Sequence, residues 1–245
     1  MLEDKKLFDF AEAIRNTGRM NEAWQLINRE MDQFGFTGGT YILYTELRNG
    51  SISDDMLFFS SYDADFLQTY IGEGMADHDY AVLHCAHSDR PARWSDIKDK
   101  YRTPKRGVFN EISSDYGLRE GFVIPIKDRR GLLISGIGFC MSNEQEAEAT
   151  RLLTDQWDSI SQLCLVFDEA VKTSGKLRGG YGLTSREIDC IRLVCQGKYN
   201  KEIADILKLA DKTVENYLQN AAQKLRARNK HHLAAKAAVL GFAAP

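Results

Sequence analysis

A run of capping and turn residues in the last quarter of the chain constrains the fold more than any other feature. Thr184 stands three residues before Glu187, which is capping-box spacing. Ile188, Ile191, Val194 and Cys195 then recur at helical spacing on one face. Gly197 suits the left-handed residue that ends such a helix. Asn200 is placed to cap a second helix with Ile203, Ala204 and Leu207 inward, and Ala204 is small enough for a close crossing. After a short turn, Lys208 to Ala210, Asp211 is placed to cap a third helix. Its inward residues are Val214, Tyr217, Leu218, Ala221 and Leu225. A fourth helix starting near Lys230 offers Leu233, Ala237, Val239 and Leu240 to close the bundle. The expectation is an all-α, four-helix helix-turn-helix domain over 181–245.

The outward side of the third helix carries Lys212, Thr213, Glu215, Asn216, Asn220 and Lys224. Such side chains reach base edges and phosphates in a major groove. Lys198 and Lys201, on the preceding turn and helix, are candidates for phosphate contact. Charge agrees with this. From Gly180 onward there are eleven Lys and Arg against six Asp and Glu, a net +5. Totals of 32 basic and 35 acidic residues leave the remainder at −8. A basic end on an acidic body is an electrostatic footprint for double-stranded DNA. The competing reading is an ordinary solvated bundle; the ordered capping signals weigh against it.

The C-terminal stretch is similar to the LuxR-type helix-turn-helix. The residues that carry the resemblance are Thr184-x-x-Glu187, Gly197-Lys198, Lys201-Glu202-Ile203-Ala204, Lys212-Thr213-Val214 and Lys224-Leu225. That module sits on several kinds of input domain, so the signal has to be read upstream.

At 245 residues the chain has room for two modest domains. The expected division is a small-ligand-binding domain over 1–173, a linker over 174–180 rich in glycine, and the helix-turn-helix domain. The cysteines (Cys85, Cys140, Cys164, Cys190, Cys195) are odd in number and none are in Cys-x-x-Cys spacing. A disulfide framework or zinc site is therefore not expected, and a cytoplasmic protein is. No apolar run follows the charged N-terminus, and none reaches the roughly 18 residues of a spanning helix. Neither a signal peptide nor a membrane partner is expected.

In chain order, residues 2–16 and Met20 to Phe34 read as amphipathic helices. Gly35 and Gly38-Gly39 read as the turn that follows. Thr40 to Leu47 reads as a strand, Asn49-Gly50 as a hairpin turn and Met56 to Ser60 as the partner strand. Ala64 to Ile71 and Arg106 to Tyr116 read as helices. Gly121 to Ile126 and Leu132 to Met141 read as strands joined at Asp128–Gly131. One long helix is expected from Asn143 to about Lys172, with Trp157, Ile160, Cys164, Leu165 and Phe167 serving a homodimer interface or the core. The fold class expected is α+β: an α/β/α sandwich with an antiparallel sheet, followed by the helical domain. Such a sandwich can hold a small ligand between sheet and helices.

The order and spacing of Tyr62, Phe66, Tyr70, Asp79, Trp94 and Gly121 resemble the autoinducer-binding domain of LuxR-type quorum-sensing regulators. The resemblance implies an N-acyl homoserine lactone or related amphiphile as ligand, and no cofactor. It implies that Tyr62 meets the acyl carbonyl, that Asp79 accepts the amide N–H, and that Tyr70 and Trp94 wall the site. Gly121 opens a strand, and Phe109 and Ser135 complete the expected ligand set. Two positions depart from the pattern. The family's tryptophan, a donor to the lactone, is Phe66, which has none. The family's proline after the aspartate is Tyr80, a candidate substitute donor. Asp79 also suits a plain helix cap, and Tyr70 and Trp94 plain core. His78, His84, Cys85 and His87 fit no usual metal spacing. The competing functions are a ligand-independent regulator whose pocket Phe66 and Tyr80 fill, a phosphorelay response regulator, and an acyl-amide-acting enzyme with a DNA module.

Overall fold

The computed structural model describes residues 4–48, 50–101, 103–141 and 155–243. Two helices come first, α1 (Asp4–Asn16) and α2 (Met20–Asp32). Their apolar stripes, Phe10, Ala11 and Ile14 on one and Ala23, Trp24, Ile27 and Met31 on the other, are buried. The sheet comprises β1 (Phe36–Thr45), β2 (Leu57–Ser60), β3 (Ala92–Arg93), β4 (Glu120–Lys127) and β5 (Leu133–Met141). Its order is β2-β1-β5-β4-β3, and every pairing is antiparallel.

Strand alternation divides the sheet into two faces. Tyr41, Leu43, Phe122, Ile124, Ile137 and Phe139 pack under α1, α2 and α8 (Trp157–Thr173). Ile42, Tyr44, Val123, Ile134 and Cys140 face a second apolar cluster. That cluster is roofed by α4 (Ala64–Gly72), a 3-10 turn (Met75–Asp77), α5 (Tyr80–His87), α6 (Trp94–Ile97) and α7 (Arg106–Asp115). The layers are therefore α/β/α, as the strand and helix signals require.

Local expectations fail where side chains distant in sequence intervene. Gly38 and Gly39 are not a turn but belong to the start of β1. A Cβ on Gly39 would run into the Phe139 ring, so the glycine makes room for an aromatic from the neighbouring strand. The expected tight hairpin after β1 instead holds a short helix, α3 (Ile52–Asp55), capped by Ser51. Its Ile52 N–H donates to Asp77 at 2.8 Å, tying it to the 3-10 turn. Asn49 lies outside the described residues, as does the expected helix over 143–154. Within α8, Ile160, Cys164 and Phe167 are fully buried and belong to the core, whereas Leu165 is exposed.

The glycine-rich segment after α8, read as flexible, contains a helical turn, α9 (Lys176–Gly180). Leu177 is buried, and Lys176 Nζ donates to the carbonyl of Arg15 at 3.0 Å. Next come α10 (Ser185–Cys195), α11 (Asn200–Leu207), α12 (Asp211–Lys224) and α13 (Lys230–Val239). The Thr184 box closes in both directions: Glu187 N–H donates to Thr184 Oγ1, and Thr184 N–H to Glu187 Oε2 at 2.7 Å. Gly197 has φ +83. Two expected caps are each displaced by one residue. Tyr199 and Ala210 hold the cap positions, and Asn200 and Asp211 begin their helices. Asn200 is used otherwise, its Oδ1 accepting from Lys230 Nζ at 2.9 Å.

Candidate functional site

Residues from the sheet, α4, α5, α6 and α7 line a cavity with about 60 Å³ of free interior. Its chemistry starts at Asp79, which caps α5. Oδ1 accepts from the N–H groups of Ala81 at 2.7 Å and Val82 at 3.4 Å. Oδ2 accepts from the Tyr70 hydroxyl at 2.9 Å. The capping role and the position on the cavity are thus both real, because one oxygen serves each. Burial pushes the Asp79 carboxyl up to about 6, although Tyr70 and the two amides pull it down. Both oxygens have donors, and Oδ2, with one, keeps a lone pair for another.

Aromatic rings enclose it. Phe66 packs against Tyr62 at 5.8 Å and Tyr70 at 5.7 Å between ring centres. Tyr80 meets Phe109 at 5.5 Å and Trp94 at 6.3 Å, and Phe58 stacks on Tyr70. Tyr62 also lines the cavity, beside Thr40. Burial first, and then the Cys140 thiol, hold Tyr62 well above the ordinary phenol range. Burial and the Asp79 charge do the same for Tyr80.

The structure therefore brings Tyr62, Phe66, Tyr70, Asp79, Tyr80, Trp94 and Phe109 to one cavity. Gly121 lies behind it: a Cβ there would stand 3.0 Å from the Trp94 ring and run into the Phe139 carbonyl, so this glycine seats the tryptophan. Ser135 does not belong to the cavity. It is on the other face of β5, where its hydroxyl donates to Asp168 at 2.6 Å, beside Tyr41 and Lys172. Alternation explains this, since Gly136 and Gly138 are the residues of β5 that line the cavity. Ser113, Leu118, Thr40 and Phe58 also line it and were not foreseen. For Ser113 a signal existed, because it follows Phe109 by one helical turn. His84 serves the fold: its ring nitrogens bond the Tyr101 hydroxyl at 3.0 Å and the Arg90 carbonyl at 2.7 Å.

On the helical domain, Lys212, Asn216, Gln219, Asn220 and Gln223 form an exposed face of α12, with Thr213 and Glu215 half-buried at its edge. Lys212 pairs with Glu215 at 2.8 Å within that face. Lys224 is otherwise engaged: its ammonium holds Glu187, the buried carboxylate of the Thr184 box, at 2.7 Å. It braces α10 against α12 and is not a free cation for phosphate. Lys201 is exposed, and Lys198 is half-buried beside Glu202. The two domains touch through α13. His232 Nε2 bonds the Leu47 carbonyl at 2.6 Å, and the buried Lys236 ammonium pairs with Asp55 of α3.

Residues 19–170 match the family profile of the autoinducer binding domain, and residues 182–237 that of bacterial regulatory proteins of the luxR family. The transcriptional activator protein AnoR of Acinetobacter nosocomialis is 26% identical over 227 residues, covering 91% of this chain and 92% of AnoR. The HTH-type quorum sensing-dependent transcriptional regulator RpaR of Rhodopseudomonas palustris is 26% identical over 242 residues, covering 97% and 95%. Among solved structures, SdiA of Escherichia coli superposes with a TM-score of 0.57 at 17% identity over 98% of this chain and 99% of that one, a likeness of fold.

Proposed function

The chain belongs to the autoinducer-binding family of LuxR-type transcription regulators, and on that premise we propose that its cavity takes an N-acyl homoserine lactone or a closely related amphiphile. It is a regulator rather than an enzyme, and its partners are DNA and a small molecule. The observation that carries the ligand reading is the Asp79 carboxylate, half-capped and facing an aromatic cavity. In this reading Asp79 accepts an amide N–H, Tyr62 donates to the acyl carbonyl, and Tyr70, Tyr80, Trp94, Phe109 and Phe66 enclose the rest. Lys201, Lys212, Thr213, Glu215, Asn216 and Asn220 meet DNA, and Lys198 reaches a phosphate once it swings off Glu202. The regulator acts in the cytoplasm as a homodimer, since a helix-turn-helix reads half-sites in pairs. In this reading the ligand-binding domain spans 1–173 and the DNA-binding domain 181–245, with 174–180 as the joint.

A second reading has its own observation. The cavity's freely accessible interior is about 60 Å³, room for a few waters. Phe66 and Tyr80 supply much of the filling, as a ligand-independent regulator would require. One experiment decides between the two. Protein purified after growth with candidate amphiphiles is extracted for mass spectrometry and melted with and without each compound. A co-purifying acyl homoserine lactone and a raised Tm establish the first reading. No ligand, no shift and full DNA binding by the ligand-free protein establish the second.

A further inference from the structure

Two buried polar groups on the cavity wall have no partner among the described residues: Trp94 Nε1 and Ser113 Oγ. Their side chains belong to residues only 7% and 4% exposed. Buried polar groups are nearly always hydrogen-bonded, so two such orphans on one cavity point to a ligand. The indole can only donate, and the serine hydroxyl donates or accepts.

Their place in the cavity gives it a direction. Ser113, Tyr80 and Leu118 also line an adjoining polar groove that contains Glu120 and Asn110. The opposite end, at Ile42, Cys85 and Val123, is apolar. Phe66 has no donor and is turned toward Tyr62, Tyr70 and the Tyr116 ring at 5.4 Å.

Resting on the acyl-ligand reading above, we propose that Ser113 and Trp94 are specificity-determining residues: they take an acceptor oxygen on the ligand's head group, in place of a donor at position 66. The ligand class is then an amphiphile with three features. Its tail lies toward Ile42 and Cys85, an N–H or O–H faces Asp79, and a carbonyl or ring oxygen lies at the Ser113 end. Tyr80 positions this end through ring contacts with Trp94 and Phe109 rather than by donating to the ligand.

The test uses the full chain and two probes, N-octanoyl homoserine lactone and N-octanoyl cyclopentylamine. The second keeps tail and amide but has no acceptor on its ring. Titration calorimetry gives Kd for wild type, Ser113→Ala, Trp94→Phe and the pair together. A wild-type preference for the lactone is expected, and each variant loses about five- to tenfold of it, the size of one hydrogen bond. The readout is the ratio of the two Kd values, which a general loss of wall packing leaves unchanged because it weakens both probes. Ser113→Ala removes one buried atom and keeps the test sound if Trp94→Phe does not fold. Binding of both probes with a lactone preference unchanged in Ser113→Ala overturns this inference alone. Failure of wild type to bind either probe overturns the acyl-amide reading together with it.

Discussion

Acidification separates a binding carboxylate from a purely structural one at position 79. The Asp79 carboxyl is raised from its ordinary value of 3.8 to about 6, chiefly by burial. A shift of two units corresponds to about 3 kcal/mol between its two protonation states. An amide N–H entering the cavity bonds more strongly to the ionised form than to the carbonyl oxygen of the protonated one. At pH 7 about nine-tenths of the protein carries the ionised form, and at pH 5 about one-tenth, so affinity falls by up to about tenfold, or about 1.4 kcal/mol. Above pH 7 it is flat. The ligand-free protein responds in the opposite sense. Because the folded state raises this pKa, it binds more protons than the unfolded chain between about pH 4 and 6, and acidification through that window stabilises it. The ligand-induced rise in Tm therefore shrinks on acidification. The assay is titration of N-octanoyl homoserine lactone at pH 5, 6 and 7, with Asp79→Asn as control. The amide in that variant cannot ionise, so its weaker binding is independent of pH. A flat wild-type profile, or the same slope in the control, refutes the assignment; the second outcome would move the titration to another group, such as His84.

Other consequences follow from the same geometry. Asp55→Asn leaves the Lys236 ammonium buried without its charge partner and lowers stability by about 3–5 kcal/mol, whereas replacing both residues by Leu recovers most of it in a urea melt. Gly121→Ala drives a methyl into the Phe139 carbonyl and the Trp94 ring, costing about 1–3 kcal/mol by thermal melt and weakening lactone binding as Trp94 moves. Lys224→Met lowers Tm and weakens every DNA duplex alike through loss of the brace; a salt slope of DNA binding reduced by about 1 relative to wild type would instead show a phosphate contact. Burial raises the Glu187 carboxyl, but Lys224 and the Thr184 N–H and hydroxyl outweigh it and hold it below its usual range. Its contribution is then present above about pH 4.5 and lost on further acidification, and Glu187→Gln flattens that limb of the stability profile.

The fold was largely legible because its signals are local. The box of Thr184 and Glu187, the glycine after α10 and the stripes of α1 and α2 each act within a turn or two of chain. The errors fall where a partner distant in sequence decides. Gly39 looked like a turn because the ring that needs its space, Phe139, is a hundred residues away. Ser135 was one residue out of register for the cavity, and a shift of one residue in a strand reverses the face. Asn200 has cap chemistry, yet its oxygen is held by Lys230. The cavity was visible as a series of aromatic residues about a turn apart around Asp79. Ser113 was missed although it stands one helical turn after Phe109, because a serine at a lining position reads like an exposed one until burial strips it of water.

The basic count of the C-terminal span carries the same lesson about electrostatics. A net +5 suggests a cationic surface, but charge acts on DNA only where it is free to face it. Lys224, at the surface, is offset by the buried Glu187. Lys236 is held by Asp55, a residue of the other domain separated from it by 181 positions. Lys212 is partly offset by Glu215 on the outward side of α12. Lys201, Lys208, Arg226 and Arg228 remain exposed, while the outward residues Asn216, Gln219 and Asn220 of α12 are uncharged. With Lys212, Lys224 and Lys236 held by carboxylates, DNA binding should depend less steeply on salt than eleven basic residues would suggest. The buried pair gives α13 a second task. The same helix closes the DNA-binding bundle with Leu233 and Ala237 and grips α3 with Lys236. Because α3 also donates the Ile52 N–H to Asp77, two residues before Asp79, the cavity carboxylate and the DNA-binding bundle are joined through one four-residue helix.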